Sequence, residues 1–276
     1  VTSVDFAGDC VLVTGSGDKR VRVWQWRSGT GYIEAYFSPL QGHKYGVTSV
    51  KVSPRSTMLA SASIDGTTLL WNLRTGSKIH TMVQVGGEAV RVCRFSPDST
   101  LLATAGDNGQ VCLWDLVRRN LVSMKSLNGH KYSINHVEFS PCGGMLASCS
   151  LDGTVVIWNT EKENNNIARK IKGHSDAVNA IAFTPDSCYL ATGGNDSMVK
   201  LWQITIGKRN EKKTFTGHGG NVTCVRFSPI HSEILGSVAT DRTARIWSIE
   251  NELIKKLHIE QDDEAQFKKL YQKNCM

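Results

Sequence analysis

The sequence predicts an all-β fold assembled from six copies of one four-stranded unit, and three observations carry that prediction. Tryptophans recur at Trp24, Trp71, Trp114, Trp158, Trp202 and Trp247, spaced by 47, 43, 44, 44 and 45 residues. A Gly-His pair precedes four of them, at Gly42-His43, Gly129-His130, Gly173-His174 and Gly217-His218. Segment 129–159, GHKYSINHVEFSPCGGMLASCSLDGTVVIWN, shows what is repeated: short strands at 134–139, 145–148 and 154–158, divided by a Pro-containing turn and by Asp-Gly. Asp-Gly between apolar runs suits a tight hairpin, because Gly153 tolerates positive φ. A lone meander of this length has two apolar faces to cover, so each copy must pack on the next.

A period of about 40 to 45 residues, opened by Gly-His and closed by a Trp-Asp-like pair, resembles the WD40 repeat along almost the whole chain. The literal Trp-Asp stands at Trp114-Asp115. The resemblance implies a β-propeller with six visible four-stranded blades. It is expected over 1–260, with blades near 1–41, 42–84, 85–127, 128–171, 172–215 and 216–260. The chain opens at Val1, without Met and directly on a strand. A seventh blade or a single closing strand is therefore expected ahead of it.

In chain order, blade 1 has an inner strand over 1–6, a second over 11–14, a turn at Asp18-Lys19, a third strand over 21–24 and an outer strand within 32–37. Later blades repeat this order. Pro54, Pro97, Pro141, Pro185 and Pro229 each follow Ser or Thr between the first two strands, where a fixed φ and a missing donor cost nothing. The inner strands read VTSVDF, VTSVKV, VRVCRF, INHVEF, VNAIAF and VTCVRF. Their apolar alternation slips phase after two residues, which predicts a bulge in each. The longest insertions, 161–170 and 207–213, read as polar surface loops. One more strand is expected over 253–257. Within 261–276, Ala265, Phe267, Leu270 and Tyr271 give one weak apolar face, as in a short helical or disordered tail.

Ser, His and Asp recur together as His43, Ser61, Asp65 with Trp71; His130, Ser148, Asp152 with Trp158; His174, Thr192, Asp196 with Trp202; and His218, Ser237, Asp241 with Trp247. Four hydrolytic centres on one ring make no chemical sense. A buried network does: Asp in the turn accepts from His, His engages the hydroxyl, and the indole N–H completes the chain, sparing about 1 to 3 kcal/mol for each buried polar group. The WD40 resemblance implies the same structural tetrad. Blade 1 keeps Thr14, Asp18 and Trp24. Blade 3 has Gly86 and Asn108 at the His and Asp positions, keeps only Thr104 and Trp114, and is expected to be the loosest blade.

No run of about 18 apolar residues exists, so no membrane helix is expected. Cys10, Cys93, Cys112, Cys142, Cys149, Cys188, Cys224 and Cys275 show no C-x-x-C pairing. They read as small, mostly buried thiols of a reducing compartment, hence cytoplasmic and/or nuclear. His80, His136, His231 and His258 are not spaced as metal ligands and read as incidental. No phosphate-binding glycine loop is present, and no cofactor is expected.

Partners of WD40 propellers dock on the face bearing the Gly-His loops, and the resemblance carries that face here onto three sets of positions. Gly46, Ala89, Ser133, Ala177 and Asn221 precede the inner strands. Thr2, Thr48, Arg91, Asn135, Asn179 and Thr223 lie one residue inside them. Gly17, Ile64, Asp107, Leu151, Asn195 and Thr240 precede the turn Asp or its replacement. With Tyr45 and Tyr132 on adjoining loops, the selected binding residues are Tyr45, Ile64, Arg91, Asp107, Tyr132, Leu151, Asn179 and Asn195, since aromatic and Arg side chains dominate interfaces. The segments DGTTLLWN and VRVCRFSPDSTLLA are similar to the propeller of WD repeat, SAM and U-box domain proteins, which implies substrate selection for a ubiquitin ligase. The main expectation is a non-enzymatic scaffold for protein or peptide partners. A net charge of +7 leaves a nucleic-acid or chromatin reader as the alternative, if Lys19, Arg20, Arg22, Lys44, Arg91 and Lys131 form one patch. A propeller enzyme would need a cleft with a shifted acid or base outside the tetrads.

Overall fold

The computed structural model describes residues 1–117, 124–160, 167–204, 210–250 and 253–258. The tail at 261–276 and Cys275 lie outside the described residues. Blade 1 comprises β1 (Ser3–Ala7), β2 (Val11–Gly15), β3 (Val21–Arg27) and β4 (Gly31–Glu34). Blade 2 comprises β5 (Val47–Val52), β6 (Met58–Ser63), β7 (Thr67–Asn72) and β8 (Lys78–Val83), followed by a short 3-10 turn over Val85–Gly87. Blade 3 holds β9 (Val90–Phe95), β10 (Leu101–Gly106), β11 (Gln110–Asp115) and β12 (Met124–Asn128). Blade 4 holds β13 (Ile134–Phe139), β14 (Met145–Ser150), β15 (Thr154–Asn159) and β16 (Ile167–Lys172). Blades 5 and 6 follow as β17 (Val178–Phe183), β18 (Tyr189–Gly194), β19 (Val199–Gln203), β20 (Asn210–Phe215), then β21 (Val222–Phe227), β22 (Ile234–Ala239), β23 (Thr243–Ser248), β24 (Leu253–His258). Every sheet is an antiparallel meander of four consecutive strands, and first strands of successive blades lie against one another.

Large residues enter pockets of small ones between blades. On the forward face of blade 4, Ala147, Cys149, Val155 and Ile157 are buried against Ile181, Phe183, Leu190 and Trp202 of blade 5. The same arrangement fills each gap from blade 1 through blade 6. Gly193 marks a close approach, since a Cβ there would lie 2.5 Å from the Val222 side chain.

The inner-strand register shifts near the first two residues of β5, β9, β13, β17 and β21, the phase slip seen in the sequence. β1 pairs with β2 without a shift. Further shifts fall where β8, β16, β20 and β24 meet the Trp strands, a feature the sequence did not announce. Two segments read as loops are partly strand: Ile167 to Lys170 belong to β16 and Asn210 to Lys213 to β20. Their charge reflects an outer edge strand, which gains from Lys and Arg.

The rear face of blade 1 is bare. Val4 and Phe6 are 51% and 57% exposed, whereas their counterparts Val137 and Phe139 in blade 4 are 0% and 6% exposed. Leu12 and Trp24 are only partly covered, as are Val238, Ala244 and Ile246 on the forward face of blade 6. The end blades therefore do not cover one another as neighbouring blades do. Phe139→Ala is expected to cost about 3 to 5 kcal/mol and Phe6→Ala under about 1 kcal/mol; urea unfolding of both variants checks this, and equal losses would contradict it.

Candidate functional site

Each complete tetrad ties a Gly-His loop to the Asp turn of its own blade. In blade 2, His43 Nδ1 lies 3.1 Å from Asp65 and Nε2 lies 2.8 Å from Ser61 Oγ, which also accepts from Trp71 Nε1 at 2.8 Å. In blade 5, His174 Nδ1 is 2.9 Å from Asp196, Nε2 is 2.6 Å from Thr192 Oγ1, and Trp202 Nε1 donates at 2.9 Å. Blade 6 has 3.1, 2.7 and 2.8 Å for the same links through His218, Asp241, Ser237 and Trp247. Blade 4 keeps His130 to Ser148 at 2.7 Å and Trp158 to Ser148 at 2.9 Å, while its Asp152 stands 3.4 Å from the ring. Neutral imidazole donating from Nδ1 and accepting the hydroxyl proton at Nε2 satisfies every member.

Sequence reasoning missed a fifth member. The Thr two residues after Asp, at Thr67, Thr154 and Thr243, donates its hydroxyl to the Asp at 2.5 to 2.8 Å and sits 3.0 to 3.3 Å from His Nδ1. The signal was in the text as D-G-T, D-G-T and D-R-T. Blade 5 carries Met198 there. The other carboxylate oxygen accepts a backbone N–H of the Gly-His loop, from Lys44, Lys131, Ser175 or Gly219. Burial pushes the Asp65, Asp152 and Asp241 carboxyls up, but these hydrogen bonds outweigh it and hold all three below the usual carboxylate value. Burial also keeps His43 and His130 below the ordinary histidine value, despite the neighbouring Asp.

Blade 3 is not left with two members. The buried Gln84 takes the missing imidazole's place: its Oε1 accepts from Thr104 Oγ1 at 2.9 Å, and Thr104 accepts from Trp114 Nε1 at 2.9 Å. Asn108 donates to the Val85 carbonyl at 2.8 Å, closing the same turn. Gln84 escaped notice because it lies two residues before the His register, where the 3-10 turn shifts the chain. In blade 1, Trp24 donates to Thr14 at 3.1 Å, and Asp18 pairs with Arg22 at 2.9 Å.

On the loop face, a backbone bond joins the residue before each Asp to the residue before the inner strand. Ile64, Asp107, Leu151, Asn195 and Thr240 donate to the carbonyls of Gly46, Ala89, Ser133, Ala177 and Asn221 at 2.8 to 3.2 Å. Side chains in the second set are less available than their sequence position implied. Thr2, Thr48, Asn135 and Asn179 each donate to the first carbonyl of the next inner strand, at 2.6, 2.6, 2.9 and 2.9 Å, clasping blade to blade. Asn179 also bonds Asn195. Arg91 breaks this series and pairs with Asp107. Tyr45, Ile64, Tyr132 and Leu151 stand exposed.

Cys93, Cys112 and Cys149 are buried and burial raises their thiols, but Cys10 and Cys142 are exposed because they sit in turns. Among the described residues no group of three or more His, Cys, Asp or Glu could hold a metal. No helix among them is long and apolar enough to cross a membrane.

Six meander blades locked by such networks define a WD-repeat β-propeller. The chain belongs to the WD40 family (WD domain, G-beta repeat), which matches residues 1–25, 36–72, 76–115, 121–159, 165–203 and 209–248. It is 41% identical over 95 residues to WD repeat, SAM and U-box domain-containing protein 1 of Danio rerio, covering 34% of this chain and 19% of that protein. The Homo sapiens protein of that name is 42% identical over 82 residues, covering 30% and 17%. Pre-mRNA-processing factor 19 homolog 2 of Arabidopsis thaliana is 42% identical over 78 residues, covering 28% and 14%. The matched segments thus span a fifth or less of these relatives.

Asp152→Ala removes three hydrogen-bond acceptances and the contact with the His130 ring and is expected to cost about 3 kcal/mol, against about 1 kcal/mol for Asn108→Ala; denaturant midpoints distinguish them. The networks also predict acid lability. Below about pH 6.5 the unfolded chain takes up protons that folded His43 and His130 refuse, and near pH 4 its carboxylates protonate before those of Asp65, Asp152 and Asp241. Stability should be flat between about pH 7 and pH 8 and fall in two stages below that window; a urea midpoint unchanged between pH 7.5 and 5.0 would count against neutral, buried imidazoles.

Proposed function

We propose that this propeller is a docking platform for protein or peptide partners, bound on the face of the Gly-His loops. The observation that carries it is the outward display of Tyr45, Ile64, Tyr132 and Leu151, 60%, 56%, 63% and 48% exposed, on loops fixed from below. Rigid loops lose little entropy when they bind, and exposed aromatic anchors provide most of the affinity. Blades 2 and 4 each offer one such Tyr–aliphatic pair, with Arg91 and Asp107 of blade 3 between them. Asn179 and Asn195 belong to this face as well, though Asn179 mainly joins blades and Asn195 accepts from it within blade 5.

The finer reading is a substrate-recognition propeller of a ubiquitin-ligase type protein. It is supported by the similarity to proteins whose names include a U-box. A cytoplasmic and/or nuclear setting is part of the proposal and agrees with thiols left unpaired in the described residues. The nucleic-acid alternative is weakened because two of its six cations are engaged, Arg22 by Asp18 and Arg91 by Asp107. The Ser, His and Asp of the tetrads are engaged with one another beneath this face, which favours a scaffold over an enzyme.

Affinity capture followed by binding measurement on the recovered partner tests the reading. The double variant Tyr45→Ala, Tyr132→Ala should lose at least about tenfold in affinity with its melting temperature unchanged; undiminished binding would move the site off this face.

A further inference from the structure

The first strands form the inner wall of the ring, and the fifth residue of each aligned hexapeptide meets the channel: Asp5, Lys51, Arg94, Glu138, Ala182 and Arg226. Two ion pairs form there. Lys51 Nζ lies 2.6 Å from Asp5, and Arg226 Nη1 lies 2.5 Å from Glu138, reaching past blade 5 where Ala182 leaves room. Each carboxylate also accepts a backbone N–H, from Val52 at 2.8 Å and Phe183 at 3.3 Å.

Arg94 has no such partner. Its guanidinium donates to the Cys93 carbonyl at 2.9 Å and to His136 Nε2 at 2.6 Å. Because Arg can only donate, Nε2 accepts, and the imidazole is neutral with its proton on Nδ1. Burial, together with the charges of Arg94, Arg226 and Lys51, holds His136 well below the ordinary histidine value. His136, read as incidental from its spacing, is thus part of the channel wall. Its buried Nδ1 feels the Ile181 carbonyl but makes no hydrogen bond of good geometry. Three cations face two carboxylates in this ring, so one positive charge is uncompensated.

We propose that Arg94, oriented by His136 and flanked by Lys51 and Arg226, forms a binding site in the channel for a small oxyanion of the phosphate class. The guanidinium offers its remaining N–H groups as a planar fork suited to phosphate oxygens, and His136 holds it in place by accepting one N–H. Asp5 and Glu138 repel an anion at close range, but each is already held by a cation and a backbone N–H, which leaves the Arg94 side of the channel as the positive one. The site is separate from the partner-binding face and does not depend on it.

Thermal unfolding and calorimetric titration of the 276-residue chain with sodium phosphate test this at pH 7.5, against sodium chloride at equal ionic strength. Phosphate should raise the melting temperature saturably and chloride should not, as ligand linkage requires. Arg94→Met should abolish the effect, Arg94→Lys should weaken it, and Arg55→Met, on an exposed turn, should retain it. If Arg94→Met fails to fold, His136→Phe keeps the ring volume, removes the acceptor that orients Arg94 and should weaken phosphate binding about tenfold. Identical shifts in phosphate and chloride, or a phosphate response surviving in the Arg94 and His136 variants, would overturn the site. A response to acetate equal to that for phosphate would overturn the phosphate assignment.

Discussion

A sheet of four short strands with two apolar faces cannot stand alone, and everything else in this protein follows from how successive sheets cover one another. The solution is asymmetric. Second strands present Ala, Cys or Gly forward, and first and third strands present Val, Ile, Phe or Trp backward, so each gap fills with large against small. Asymmetry also gives the stack a direction. A blade in the middle has two complementary neighbours, whereas Val4 and Phe6 at the start of the row lie open.

The polar networks solve a different problem. Packing fixes where the blades stand but leaves the connecting loops free, and these carry the residues available to partners. By joining the loop, the turn and the third strand of one blade, the His–Asp–hydroxyl–indole chain turns a flexible rim into a fixed surface without exposing the groups that hold it. Blade 3 shows that chemistry matters more than residue identity. A Gln amide entering from two residues upstream presents an acceptor to Thr104 where imidazole nitrogen would.

The repeat, the blade order and the tetrad partners were legible in the sequence because each rests on spacing that recurs, and six copies average out local irregularity. What was not legible arises between copies or off the register. Gln84 lies outside the aligned column. Clasping by Thr2, Thr48, Asn135 and Asn179 depends on the distance to the next blade. His136 has no counterpart in the other inner strands, and its pairing with Arg94 joins residues 42 apart in the chain. The outer strands were misjudged because their charged faces look like loop until the edge pairing is known.

Arg91 stands apart from the other residues at its register. Its neighbours in the series reach forward to the following blade, and it turns back to Asp107 of its own. The seam between blades 3 and 4 thereby lacks the rivet that the adjoining seams possess. That seam is held instead by apolar packing and by the bond from Arg94 to His136, so one joint of the row differs in chemistry from those on either side of it.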